Sequence, residues 1–514
     1  MFEPYRPEPY SDFRNPGPLA AYRGALEQVR GQLGGDHPLV IGGERVFTDR
    51  FITSIDPCNL DRVVGRSAAG GPAELERAMD AAEAAFEIWS QWTMEARAQT
   101  LVRLAATLRR HKFELAAWET FEAAKNYAEA EGDVAEAIDF CEYYARDALR
   151  WSAPAPTYAY PGEENSTSRI PMGVGVIIPP WNFPLAILVG SAVGPAVVGN
   201  TVVIKPSPST PVIAAKFMEC VEEAGVPPGV FNLLTGEDAD LGDALVDHPR
   251  TRFINFTGSV ATGLHINERA ARAQPGQTFL KRVYTEMGGK DALIVDETVD
   301  LDEAAAVATT SGYGFQGQKC SAMSRLIVTA QVHDGLLERL KARVEELRMG
   351  PAEENFDITA VINRRQCDKI VGYLQEGSRE ARLVTGGGRA EGNGYYIRPT
   401  IFADVDPTAS IASEEIFGPV VSVLKARDFD HALEIANGTP FGLTGGVMSR
   451  DRERLERARR EFRVGNLYLN RKITGSLVGV QPFGGLDMSG SNSKAGGPEY
   501  LRLFMEAKTV TERF

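Results

Sequence analysis

Cys320 sits in Gly314-Phe315-Gln316-Gly317-Gln318-Lys319-Cys320-Ser321-Ala322, a setting suited to a nucleophile: the neighbours are small or polar, and Lys319 is adjacent. The thiolate is the attacking form, so a nearby cation is expected to favour it by lowering the pKa. The plain alternative is a small buried apolar side chain. Cys58, Cys141, Cys220 and Cys367 lack that mixture, and five cysteines without a CxxC pair predict reduced thiols, no disulfide framework and no metal site. Thr285-Glu286-Met287-Gly288-Gly289-Lys290-Asp291 sets a carboxylate, able to activate water, beside two glycines that permit close backbone approach. A solvated glutamate before a turn has the same pattern. In Pro179-Pro180-Trp181-Asn182-Phe183-Pro184, the Asn182 amide offers a donor to an oxyanion, or is simply a turn residue. Phe256-Thr257-Gly258-Ser259, with Gly263 one turn on, suits a pyrophosphate at a helix start. It lacks the GxGxxG spacing, and an ordinary serine N-cap reads the same way.

Elements must hold these residues in place. From Pro72 to Arg150, apolar residues recur at three and four, as in Leu101, Leu104, Ala105 and Leu108, which predicts helices. Trp151–Ser168 turns to Pro, Tyr, Ser and Thr and reads as an extended arm. Strands are expected at 174–178, 201–204, 231–234 and 252–256, alternating with helices at 186–198, 211–224, 241–246 and 261–273. That is the pattern of a parallel sheet covered by helices. A second series places strands at 292–295, 325–328, 422–426 and 465–469, with helices at 301–311, 332–348 and 364–376. The C-terminal stretch from Leu501 is expected to add an edge strand.

The chain has 514 residues, 43 % hydrophobic and 24 % charged, with a net charge of -14. This composition predicts a globular protein of about three structural units. The acidic balance opposes binding to nucleic acid or anionic lipid, both of which call for clustered Lys and Arg. No apolar run reaches the roughly 20 residues of a bilayer span, and Met1–Asn15 lacks the apolar core of a secretory signal. A cytoplasmic location is expected.

Seven blocks in order resemble the aldehyde dehydrogenase superfamily: Pro180-Trp181-Asn182-Phe183-Pro184, Lys205-Pro206-Ser207, Phe256-Thr257-Gly258-Ser259, Glu286-Met287-Gly288-Gly289-Lys290, Gly317-Gln318-Lys319-Cys320, Glu414-Glu415-Ile416-Phe417-Gly418-Pro419 and Pro482-Phe483-Gly484-Gly485. The resemblance implies an α/β fold. It would have a Rossmann-type NAD-binding domain (1–150 and 172–285), an α/β catalytic domain (286–486) and a small β oligomerisation arm (151–171 and 487–514). It implies that Cys320 attacks an aldehyde, Asn182 holds the oxyanion, and Glu286 activates the water that hydrolyses the thioester. It also implies a cofactor site at Pro180, Trp181, Lys205, Ser207, Gly258, Ser259, Gly288, Glu415 and Phe417. Many NAD-preferring members carry Glu three residues after the lysine, where this chain has Pro208. NAD is therefore the first expectation, and NADP the second.

Within the superfamily, Tyr313–Ser321, Asn470–Gly475, Val480–Gly485 and Val134–Phe140 resemble the branch that oxidises glutamate γ-semialdehyde to glutamate in proline catabolism. A dehydrogenase of succinate semialdehyde or of a neutral aliphatic aldehyde is the main rival, and a non-catalytic dinucleotide-binding protein of the same fold the lesser one. The semialdehyde carries an α-carboxylate and an α-ammonium remote from the aldehyde. The small residues Thr474-Gly475-Ser476 offer backbone N–H groups to grip that carboxylate, with the Ser321 hydroxyl beside them, while the resemblance assigns Phe183 and Phe483 to the aliphatic part and Lys319 to the carboxylate end; an ordinary surface loop at Gly475 and Ser476 and core packing of the two Phe are the plain alternatives. Glu136 is a weaker candidate for this site on a helix, where a solvated face is the default reading. A homo-oligomer, a dimer or an assembly of dimers, is implied, and a proline dehydrogenase is the candidate partner.

Overall fold

The computed structural model describes residues 3–155 and 157–514. The sequence rich in Ala, Leu and Glu after Pro72 forms the helices Pro72–Trp89, Met94–Arg110, Lys112–Ala123 and Tyr127–Ala148. Their starts are signalled locally: proline in the first turn at Pro72, the Thr93 hydroxyl accepting from Ala96 N, and the Asn126 side chain accepting from Glu129 N. Leu101, Leu104, Leu108 and Ile138 bury their apolar faces in one core with Val189 and Val193 of the helix Ala186–Val197.

Two seven-stranded sheets form the rest of the frame. In the first, the strand order is 282–286, 253–257, 174–178, 201–204, 231–233, 39–41, 44–46. The first five are parallel, and the hairpin of the last two joins antiparallel. In the second, the order is 382–385, 400–403, 420–426, 325–329, 292–295, 444–448, 466–469, all parallel apart from the antiparallel edge strand 382–385. The central strands are continuous apolar runs because helices cover both faces.

Six strands of these two sheets lie outside the sequence expectation: Leu39–Ile41, Glu44–Val46, Arg282–Glu286, Arg382–Thr385, Thr400–Ala403 and Thr444–Met448. The segment Met287–Asp291 crosses directly from the last strand of the first sheet into Ala292–Val295 of the second. The arm and the C-terminal stretch pair with each other, Glu163–Pro171 against Met505–Arg513, as an antiparallel ribbon of nine residue pairs. Among the described residues, no helix is long and apolar enough to cross a membrane.

Candidate active site

Cys320, Glu286, Phe183, Lys319, Ser321, Gly475, Ser476 and Phe483 all line one cavity of about 570 Å³. Cys320 follows the helix Leu301–Tyr313 through a turn in which Phe315 (φ 49°), Gln316 (φ 54°) and Gly317 (φ 66°) are left-handed. At Gly317 a Cβ would stand 2.3 Å from the Gly418 carbonyl oxygen, so only glycine permits that approach. Non-glycine residues held in this conformation signal strain imposed by their surroundings, a frequent feature of functional sites.

Glu286 ends the strand Arg282–Glu286. Its Oε1 accepts from Ser493 Oγ (2.6 Å) and Ser493 N (3.1 Å), and its Oε2 accepts from Gly485 N (3.2 Å). Burial outweighs these bonds and pushes its pKa up to about 7. The two glycines that follow are required by close packing: a Cβ on Gly288 would overlap the Glu415 carboxylate at 2.2 Å, and one on Gly289 would lie 3.0 Å from the Cys320 carbonyl oxygen.

One expectation about the nucleophile fails. The Lys319 ammonium turns away to Glu129, at 2.7 Å from Oε1 and 2.6 Å from Oε2, and does not lower the Cys320 pKa. Burial pushes the thiol up, and the carboxylates of Asp291, Glu415 and Glu286 add to the effect. Asn182 is buried, and its Nδ2 donates to the Gln318 carbonyl (3.0 Å), fixing the amide beside the nucleophile's loop with one N–H left over.

The groups expected to hold a dinucleotide gather at the carboxyl ends of the parallel strands, where open α/β sheets bind ligands. Pro180 and Trp181 follow Val174–Ile178; Lys205 and Ser207 follow Thr201–Ile204; Gly258 and Ser259 follow Phe253–Thr257. Ser259 caps the helix Val260–Ala270 by accepting from Thr262 N (3.2 Å), leaving a helix N-terminus at the crevice. Gly258 N donates to the Glu286 carbonyl (3.0 Å), which ties this turn to the strand carrying the carboxylate. Across the crevice, Glu415 Oε1 accepts from Gly289 N (3.1 Å), and Phe417 meets Trp181 edge to face at 5.4 Å. These residues fit a dinucleotide. Lys205, buried, is paired with Asp238 at the start of the helix Asp238–Asp247.

At the far end of the cavity, Arg471 Nη2 reaches the Thr474 and Gly475 carbonyls (3.3 Å each). Gly475 has φ 73°. Among the described residues, the amides of Gly475 and Ser476 have no protein acceptor. Glu136 is no solvated helix residue: with Glu129, Gly132 and Phe140 it forms the cavity face of Tyr127–Ala148 at helical spacing. Burial and the nearby Asp133 push its pKa up to about 8, and no protein group among the described residues bonds its carboxylate. The N-terminal segment closes part of this wall with Tyr10 and Ser11, held by Glu8 N to Asp139 (2.7 Å) and Ser11 N to Glu131 (2.9 Å). Sequence reading missed Glu129, Ser493, Arg471 and this N-terminal segment. The one available signal was the three- and four-residue spacing of Glu129, Gly132, Glu136 and Phe140.

The aldehyde dehydrogenase family model matches residues 47–510, and the chain belongs to that family. It is 53 % identical to a 1-pyrroline-5-carboxylate dehydrogenase of Geobacillus thermodenitrificans over the whole of both chains. A crystal structure of 1-pyrroline-5-carboxylate dehydrogenase from Thermus with bound NAD superposes with a TM-score of 0.99 at 54 % identity, covering all of both chains. Proline utilization A from Bdellovibrio bacteriovorus matches at 41 % identity and a TM-score of 0.97, over 99 % of this chain and 53 % of that one.

Proposed function

We propose that this chain oxidises L-glutamate γ-semialdehyde, the open form of 1-pyrroline-5-carboxylate, to L-glutamate with NAD, in proline catabolism. The observation that carries this reading is the two-ended cavity. A nucleophilic cysteine stands in one cavity with free backbone amides at Gly475 and Ser476 and an unpaired carboxylate at Glu136. Free amides in a tight turn capture a carboxylate, and Glu136, raised to about 8 in the empty cavity, is drawn into its ionised form by the α-ammonium of the same substrate. Succinate semialdehyde has no ammonium for Glu136, and a neutral aldehyde would use neither group. Full-length likeness to the Geobacillus and Thermus enzymes supports the same choice.

The Cys320 thiol must lose its proton before it attacks the aldehyde carbon. The carboxylates around it favour the neutral thiol, so a base is required, and Glu286, held at about 7, is the carboxylate in the cavity suited to accept that proton. The resulting thiohemiacetal oxyanion takes donors from the free Asn182 N–H and the Cys320 backbone amide. Bound NAD supplies the hydride acceptor, through Lys205, Ser207, Gly258, Ser259, Gly288, Glu415 and Phe417, with Pro180 and Trp181 alongside. Once Glu286 has given the thiol's proton up to solvent, it deprotonates the water that hydrolyses the thioester on Cys320 and returns that proton to the leaving thiolate, releasing glutamate and the thiol. Phe183 and Phe483 enclose the aliphatic stem, Ser321 adds a hydroxyl, and Lys319 with Glu129 supplies local charge near the polar end.

In this reading residues 1–150 and 172–285 form the NAD-binding domain and 286–486 the catalytic domain. The elements 151–171 and 487–514 serve a cytoplasmic homo-oligomer, a role supported by the ribbon in which they pair. The match to about half of proline utilization A supports a proline dehydrogenase as the partner that supplies substrate. The test is product analysis: the purified protein, given 1-pyrroline-5-carboxylate and NAD, should form glutamate and NADH one to one. Glutamate-free NADH formation, or no reaction, would refute the reading.

A further inference from the structure

Behind the cavity lies a charged cluster that touches no solvent. Lys125, fully buried, joins the helices Lys112–Ala123 and Tyr127–Ala148. Its Nζ pairs with Asp133 and lies 3.1 Å from Glu119 Oε2, and all three side chains are 0 % exposed. Burial and Asp133 drive the Glu119 pKa well above the carboxylate range, which weakens its negative charge beside the ammonium. The cluster sets one ammonium between two carboxyl groups. Burying an ion pair seldom gains stability over an apolar group of the same shape, so stability alone does not account for it.

What the ammonium faces is informative. It stands 4.5 Å from the Phe183 ring centroid and 5.2 Å from that of Phe315, both within cation–π range. Phe183 lines the substrate cavity, and Phe315 opens the strained turn that ends at Cys320. The same cluster holds the chain after Phe183, because Asp133 Oδ1 accepts from Ala186 N (2.5 Å). It reaches the turn before Cys320 a second way: Thr359 donates to the Ala124 carbonyl, and Gln316 Nε2 donates to the Ala360 carbonyl (3.1 Å).

We infer that Lys125 is a positioning residue: its ammonium, pinned by Asp133 and Glu119, fixes the Phe183 wall and the Phe315 turn relative to each other, and so the distance between bound aldehyde and Cys320 sulfur. The inference rests on Cys320 acting as the nucleophile in this cavity. Small misplacements of reacting groups cost up to about a hundredfold in rate, which gives this role a measurable size.

The experiment compares full-length Lys125→Met, Glu119→Gln and Phe315→Leu with the wild type. It measures kcat and KM per active site, titrated by the pre-steady-state NADH burst, and the alkylation rate of Cys320 by iodoacetamide without cofactor. Lys125→Met should raise KM and lower kcat, each by about tenfold per titrated site, and alter the alkylation rate. Phe315→Leu should lower kcat by about tenfold with KM unchanged. Glu119→Gln, which keeps the ammonium in place, should stay within about twofold of wild type. If Lys125→Met loses active sites but keeps wild-type kcat and KM per site, the cluster is merely structural and the inference fails. It fails equally if Glu119→Gln matches Lys125→Met. Should Lys125→Met not fold, an unchanged kcat per site in Phe315→Leu overturns it. A wild type without turnover would instead refute the role of Cys320.

Discussion

At the Cys320 end of the cavity the reacting groups sit on a strand terminus or on turns beside the sheets, whereas the Gly475 end is walled by loop backbone and one helix face. Glu286 ends an edge strand and already holds three protein hydrogen bonds; Asn182 is fixed by Gln318. At the other end, the Gly475 and Ser476 amides and the Glu136 carboxylate are left for a ligand. Chemistry common to a family needs geometry that does not move, and the termini of parallel strands supply it. Substrate choice needs groups replaceable without disturbing the sheets, which loops and a helix surface provide.

The contrast predicts losses of different kinds at the two ends. Cys320→Ala should cut aldehyde oxidation by roughly 10⁴-fold or more with the fold retained, as removal of a nucleophile does; NADH formation and circular dichroism check this. Glu286→Gln should slow steady-state turnover by about 10²- to 10³-fold. Because deacylation needs it most, stopped-flow absorbance should still record one NADH per active site, formed slowly. Glu136→Gln should act on KM: about tenfold higher for glutamate semialdehyde, from the lost charge-assisted bond, and unchanged for propanal. Equal changes for both aldehydes would move ammonium recognition elsewhere. The smallest effect concerns pH. Glu286 works as a base only when ionised, so deacylation should rise through about pH 7 and level off above it. Ser493→Ala removes a bond that favours the ionised form and should move this limb upward by about one pH unit.

How much of this was legible in the sequence depended on the same division. The strands Val174–Ile178, Thr201–Ile204 and Ala292–Val295 are continuous apolar runs and were readable as such. Thr444–Met448 was not, since Gly445 and Gly446 weaken strand propensity. Both glycines are required by packing, because a Cβ would fall 2.5 Å from Phe462 and 2.5 Å from Ile473 respectively. Arg282–Glu286 was hidden by its polar residues at a sheet edge. The blocks around Cys320, Glu286 and Asn182 stood out because close approach there demands glycine and proline at set places. Lys319 misled for a physical reason: sequence neighbours need not share a direction, and its ammonium found Glu129, 190 residues away in the chain. Glu136 carried a helical period but no sign of which face the cavity would take.

The most direct measurement is kcat/KM with NAD for glutamate γ-semialdehyde, succinate semialdehyde and propanal under one set of conditions. A preference of about a hundredfold or more for the first is predicted, since two charged ends are recognised at once. Comparable values for all three would contradict the two-ended cavity and leave only the general chemistry of the family.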